Sequence, residues 1–265
     1  NSKILGWSMT KSITATLFGI LQKQGKYDIN KPAPIPEWQK DERKKITTND
    51  LLHMNSGLEW EEAYDKICDA TKMLFIAEDM GRVQLEKPAA FAPNTHWNYS
   101  SGTSNLLSYI LRKQFKTHQE YLDFWYAQLI DRIGMHSMLI ETDMVGNYVG
   151  SSYGWATARD WAKFGLLYLH KGNWNGDQVF DPSWENYVST PTNDSKEGYG
   201  AHFWLNAGGH FPAAPRDMYS CNGYQGQKVF IIPSLDLVIV RMGLSDEGKY
   251  DVNELLAGVI GSFKK

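Results

Sequence analysis

The sharpest constraint in this sequence is where its β-forming residues lie. Lys228 to Ile232 and Leu235 to Met242 are β-branched and apolar, with Pro233-Ser234 between them, so the two runs read as a hairpin. The stretch from about Asp28 to Tyr187 reads instead as helix and loop. Strands confined to one end and helices to the middle predict an α+β protein, a helical block flanked by α/β pieces from the two chain ends.

The helices have local signatures. Ile13, Leu17, Ile20 and Leu21 share one face of a predicted helix from Ser8 to Gln24, and Gly25 is placed to cap it. The Pro-rich Lys31 to Trp38 is a loop. Thr47 is a good N-cap for a short helix through Leu51, Leu52 and Met54, which Asn55-Ser56-Gly57 ends. Pro93-Asn94-Thr95 reads as a turn, and Leu106, Leu107, Ile110 and Leu111 mark the next helix. Trp161, Phe164, Leu167 and Tyr168 mark another over Ala158 to His170, and Leu255, Leu256, Val259, Ile260 and Phe263 a last one. The expected division is an α/β domain from 1–27 and 190–265 and a mainly helical domain from 28–189, with the site in the cleft between them.

Composition narrows the function class. At 265 residues, 42% apolar and 22% charged, the chain has the make-up of a soluble globular enzyme with one large domain or two intimate ones. A net charge of −3 offers no basic footprint, so no nucleic acid partner is expected. No apolar run approaches the roughly 20 residues of a membrane span, and Asn1 to Lys11 lacks the apolar core of a signal peptide. No CxxC or HExxH occurs, so no metal site is expected, and Cys68 and Cys221 read as small buried hydrophobes. Ten tryptophans and 14 tyrosines supply core packing, with an aromatic-lined cleft as the sharper reading.

Three short segments carry candidate chemistry. Ser8-Met9-Thr10-Lys11 places a hydroxyl and an amine three residues apart on a helix, hence side by side. A serine needs an adjacent base to act as a nucleophile, and burial lowers a lysine's pKa towards that role. Ser262 and Lys265 repeat the spacing at the chain's end, where no site can be built around them. Tyr99-Ser100-Ser101 follows the Pro-Asn turn and could present a phenol to a serine. Gly223-Tyr224-Gln225-Gly226-Gln227 precedes the hairpin, and its glycines let a substrate approach backbone N–H groups.

In this order the three segments resemble the serine β-lactamase and penicillin-binding-protein superfamily. The chain is most similar to its class C β-lactamase-like branch, which holds family VIII esterases, D-alanyl-D-alanine carboxypeptidases and 6-aminohexanoate-dimer hydrolases. Leu51 to Leu58 and Ala156 to Gly165 extend the likeness over nearly the whole chain. The resemblance implies a β-lactamase/transpeptidase-like α+β fold: an antiparallel sheet flanked by helices, with an inserted mainly α-helical domain. It implies Ser8 as nucleophile, Lys11 as its activator and Tyr99 as proton relay to the leaving group. Ser101 would stand where the family has Asn, and Tyr224-Gln225-Gly226 where it has Lys-Thr-Gly. The backbone N–H groups of Ser8 and Gln227 would form the oxyanion hole. No cofactor is implied; the partner is a small-molecule ester, amide or β-lactam.

Three departures shape the expectation. Tyr224 removes a cation that attracts substrate carboxylates, and Ser101 offers no amide, so both tilt the reading towards an esterase or a specialised amidase. The family also carries a helix and two strands before the Ser-x-x-Lys helix, so a cleaved or missing N-terminal segment is expected, and relatives are often exported to the periplasm. Two other functions fit single features. One is a penicillin-binding carboxypeptidase or a non-hydrolytic penicilloyl receptor on the same scaffold. The other is a phosphate loop at Gly243 to Lys249, where the following Tyr250 lacks the metal-binding hydroxyl that such a loop needs.

Overall fold

The computed structural model describes residues 2–246 and 249–263. Glu247 and Gly248 of the phosphate-loop reading, and Lys265 of the second Ser-x-x-Lys match, lie outside the described residues. The strands are β1 (Ile4–Leu5), β2 (Leu139–Ile140), β3 (Gly154–Ala156), β4 (Asn173–Trp174), β5 (Asp177–Gln178), β6 (Trp204–Leu205), β7 (Tyr219–Gly223), β8 (Gln227–Ile232) and β9 (Leu237–Arg241). The α-helices are α1 (Thr10–Lys23), α2 (Thr48–Leu52), α3 (Asp69–Phe75), α4 (Met80–Leu85), α5 (Ser101–Arg112), α6 (His118–Trp125), α7 (Ala158–Leu169), α8 (Pro182–Ser189) and α9 (Val252–Ser262).

Helix α1 is the axis of the molecule. Every residue from Thr10 to Leu21 is buried, so the helix is wrapped on all sides. Its polar residues are tolerated there because each finds a partner. Ser12 donates to the His202 carbonyl at 2.7 Å, Thr14 to the Gly150 carbonyl at 2.8 Å, and Thr16 shares a 2.7 Å bond with the Tyr168 hydroxyl. Gly25, at φ 66°, closes the helix as the sequence predicts: Lys26 N–H donates to the Leu21 carbonyl and Gly25 N–H to the Gln22 carbonyl.

The main sheet is antiparallel, in the order β6-β7-β8-β9. The predicted hairpin is β8–β9, with Phe230 opposite Ile239 and Pro233 to Asp236 as its turn. One face meets α7, where Gly165 lets Val229 and Val238 come close. On the other face Leu256 and Ile260 of α9 pack with Phe230, Ile232 and Met218. Leu255 and Val259 are only half-buried and Phe263 is 69% exposed, so α9 buries a narrower stripe than its pattern suggests.

Two sequence expectations need correcting. The stretch from Asp28 to Tyr187 is not free of strands. β3 pairs with β1 through Ile4–Ala156 and with β2 through Ile140–Gly154, and β4 pairs with β5. Strands of two or three residues leave no alternating pattern to read. The helix capped by Thr47 ends at Leu52; Met54 lies beyond it at φ 59°. Helix α7 lies inside the 28–189 stretch yet packs on the main sheet.

Among the described residues no helix is long and apolar enough to cross a membrane, and no cluster of His, Cys, Asp and Glu is placed to hold a metal ion. Cys68 and Cys221 are buried free thiols.

Candidate active site

The site begins with a strained turn. Gly6 donates its N–H to the Gly154 carbonyl at 2.7 Å, and a Cβ on it would meet the Trp161 ring at 2.5 Å. Trp7 then sits at φ 48°, an uncommon conformation for a bulky residue. Trp7–Met9 form a 3-10 turn ahead of α1, so Ser8 belongs to this turn rather than to the α-helix proper.

Lys11, 1% exposed, lies one turn along from Ser8. Its Nζ donates to Ser8 Oγ at 3.0 Å, Ser101 Oγ at 2.9 Å and the Ser151 carbonyl at 3.0 Å. Three acceptors match the three protons of an ammonium. Burial pulls the Lys11 pKa down to about 8, against the opposing pull of the Glu62 charge.

Tyr99 precedes Ser100, the N-cap of α5, whose Oγ accepts the Thr103 N–H at 2.9 Å. The cap holds Tyr99 at the helix entrance, where its ring packs on Trp204 and Tyr199 and lies 5.0 Å from Lys11 Nζ. Burial, then the Glu62 charge, push its phenol pKa well up, while contact with the Ser8 hydroxyl works the other way. Ser8, Lys11, Tyr99 and Ser101 are therefore brought together from two distant segments.

The fully buried Ser101 leads to a residue that sequence reasoning missed. Its hydroxyl donates to Glu62 at 2.5 Å and its N–H to the same carboxylate at 2.8 Å. The Trp60 indole (2.5 Å) and the Tyr64 hydroxyl also donate to Glu62. Lys11, Ser101 and Glu62 thus form one continuous chain of hydrogen bonds. The one available signal was Trp60-Glu61-Glu62-Ala63-Tyr64, in which two aromatic donors flank a carboxylate.

Ser8 and Tyr99 open onto a cavity of about 530 Å³ whose walls include Trp204, Asn222, Tyr224 and Lys228. A Cβ on Gly223 would come within 2.1 Å of the Gly6 carbonyl oxygen, so only glycine lets the end of β7 lie against the turn that carries Ser8. Tyr224 reaches the cavity and packs on Trp7 and Tyr64. Gln225, Gly226 and Gln227 turn away from it, contrary to expectation. Gln225 and Gly226, at φ 58° and 83°, form the turn between β7 and β8, and their carbonyls accept from Arg241. Gln227 is fully buried, pairs with Gly223 in the ladder, and accepts the Gly243 N–H at 3.0 Å. The cavity wall is therefore built from Asn222, Gly223 and Tyr224.

A family profile described as Beta-lactamase matches residues 1–255. The chain belongs to the beta-lactamase family. Solved structures of beta-lactamase-like proteins share its fold. A Bacillus anthracis protein provisionally named a 6-aminohexanoate-dimer hydrolase is 20% identical, with a TM-score of 0.78 over 99% of this chain and 72% of its own. A family VIII carboxylesterase is 16% identical, with a TM-score of 0.75 over 98% and 83%. A penicillin binding protein from Bacillus halodurans is 15% identical, with a TM-score of 0.71 over 99% and 86%. No curated protein matches the sequence.

Proposed function

We propose that the protein is a serine hydrolase that forms an acyl-enzyme on Ser8 and cleaves a carboxylic ester or amide. The observation that carries this reading is the Lys11 ammonium bridging Ser8 Oγ and Ser101 Oγ beside the half-buried Tyr99. In molecules where Lys11 is neutral, its lone pair can take the Ser8 proton as Oγ attacks the carbonyl. The bond from Ser8 Oγ to the carbonyl carbon forms, the proton passes through the Lys11–Tyr99 pair to the leaving oxygen or nitrogen, and the bond from the carbonyl carbon to that atom breaks, releasing an alcohol or an amine. Tyr99 suits this relay because burial keeps its phenol protonated. Water then cleaves the acyl-serine ester and restores Ser8.

The developing oxyanion would rest on backbone N–H groups of Ser8 and, in place of Gln227, of Tyr224. Support for Tyr224 comes from its place on the cavity wall and from the close approach of Gly223 to Gly6. Each such donor is typically worth about 3 kcal/mol in the transition state. Likeness to an esterase and to a named amide hydrolase makes simple esters and linear amides the first substrates to try. The division into 1–27 with 190–265 and 28–189 remains our proposed domain scheme.

The test is labelling with a fluorophosphonate and with a penicillin, followed by peptide mapping. Both labels should fall on Ser8 and vanish in Ser8→Ala. Labelling elsewhere would sink the proposal. A single stoichiometric acylation without turnover would favour the penicilloyl-receptor alternative.

A further inference from the structure

Lys11 has three hydrogen-bond partners, and they differ in what they can do. Ser101 Oγ donates its own proton to Glu62, so towards Lys11 it can only accept. The Ser151 carbonyl, 3.0 Å from Nζ, has no proton to give. Ser8 Oγ is the one partner that can donate back. A neutral amine keeps two N–H groups and one lone pair. When Ser101 and Ser151 take the two N–H groups, the lone pair is left facing the Ser8 hydroxyl, where a base is needed. The polarity of the site therefore depends on a backbone carbonyl staying in place.

That carbonyl is held from α5. The Ser151 N–H donates to Asn105 Oδ1 at 3.0 Å. Asn105 follows Ser101 by four residues on the helix, so both side chains project from one face. Asn105 is 2% exposed and Ser151 is fully buried. Only the amide oxygen can accept an N–H, so Nδ2 is turned towards the sulfurs of Met73 (3.4 Å) and Met80 (3.7 Å). Thioethers are weak acceptors, which leaves the bond to Ser151 as the one strong hydrogen bond this side chain makes among the described residues. Leucine is the better helix former and would need no acceptor for an amide. Asn105 does not line the cavity, so it does not touch the substrate there.

We propose that Asn105 is a positioning residue: it fixes the Ser151 carbonyl, which together with Ser101 turns the Lys11 lone pair onto the Ser8 hydroxyl. This deepens the Ser8 reading and rests on it for the reaction. Without Asn105 the carbonyl is free to swing, the amine can turn an N–H towards Ser8, and the lone pair points elsewhere. The ammonium form also loses an acceptor, so the Lys11 pKa should fall. The titratable groups that face Lys11, namely Glu62, Tyr99 and His202, are left as they are.

The test follows kcat/KM for p-nitrophenyl butyrate against pH in wild-type, Asn105→Leu, Asn105→Asp and Ser108→Ala protein. Ser108 pins the same segment from the same helix, donating to the Tyr148 carbonyl at 2.7 Å, but holds no partner of Lys11. In Asn105→Leu the plateau should fall roughly 10- to 100-fold, a share of the roughly 10²- to 10⁴-fold that a positioned base contributes. Its acid limb should move to lower pH. Asn105→Asp keeps the acceptor and should recover most of the plateau. Ser108→Ala should melt earlier and keep kcat/KM near wild type. An unchanged plateau in Asn105→Leu, a limb that does not move down, an Asn105→Asp protein as slow as Asn105→Leu, or an equal loss in Ser108→Ala would overturn the proposal. If Asn105→Leu does not fold, Asn105→Ser, whose hydroxyl is too short to reach the Ser151 N–H, takes its place with the same expectations.

Failure of the Ser8 reading looks different. Wild-type protein would then turn over no ester and take no fluorophosphonate on Ser8. The hold of Asn105 on Lys11 is in that case read from ¹³C NMR of the Lys11 ε-carbon, assigned with Lys11→Met. Its titration midpoint should lie at lower pH in Asn105→Leu than in wild type; the same midpoint in both would overturn the positioning role.

Discussion

The two walls of the cavity are built on opposite principles. On the helix wall, Lys11 meets three acceptors, Ser101 both accepts and donates, and Glu62 closes the chain of bonds. On the sheet wall, Asn222 Oδ1 is buried without a partner and Lys228 has no acidic neighbour among the described residues. Saturated polar networks fix geometry before a ligand arrives, which suits groups that must move a proton. Unsaturated polar groups hold binding energy for whatever fills them. On the proposed reading the saturated wall is the one that does chemistry, and the difference between the two walls can be tested residue by residue.

The largest effect is expected at Lys11. Lys11→Met keeps the stem and removes the amine, so kcat/KM should fall by roughly 10³-fold or more, as when a member of a cooperating nucleophile–base unit is deleted. Melting should show that the protein still folds. Ester hydrolysis persisting near the wild-type rate would erase the distinction between the walls.

The next effect is on stability. Ser101→Ala takes an acceptor from Lys11 and a donor from Glu62 at once, leaving buried polar groups unanswered. The expected loss is about 1–3 kcal/mol, read as a lower midpoint in denaturant at unchanged slope. A change within error would mean that the helix wall is less cooperative than its distances suggest.

How much of this was legible in the sequence follows from how local each feature is. Ser8 and Lys11 were readable because a spacing of three on a helix fixes their contact whatever the rest of the fold does. Tyr99 and Ser101 were readable through the order of motifs. Glu62 was not, because its contact with Ser101 spans 39 residues and no spacing rule reaches that far. Lys228 was hidden for another reason. Its facing depends on where the β7–β8 turn falls, and the turn residues Tyr224 to Gly226 look from sequence like a strand edge. That same uncertainty put Gln227 at the oxyanion hole, whereas strand register places it in the ladder opposite Gly223. β2 and β3 were too short to register a period, yet β3 carries the Gly154 carbonyl that anchors Gly6. Sequence thus revealed the side chains that meet at the candidate site more readily than the walls that hold them.

A subtler effect separates charge from hydrogen bonding on the helix wall. If neutral Lys11 is the base, kcat/KM should rise with pH through about 8. The Glu62 charge opposes the effect of burial by favouring the ammonium. Glu62→Gln removes that charge while keeping an acceptor for Ser101, so the acid limb should move to lower pH. A limb that stays in place would assign it to a group other than Lys11; one that moves to higher pH would contradict the electrostatics.

The smallest effect should have the opposite sign. Asn222 holds a buried carbonyl that nothing donates to, so its desolvation is not repaid within the free protein. Asn222→Leu replaces the amide with an apolar group of similar shape. On a half-buried strand position this should be neutral or stabilising by up to about 1 kcal/mol. Ser101→Ala removes a hydroxyl of comparable burial and should destabilise. Measured side by side, the two substitutions compare the walls directly: a loss of equal size at Asn222 would mean that this wall is satisfied after all.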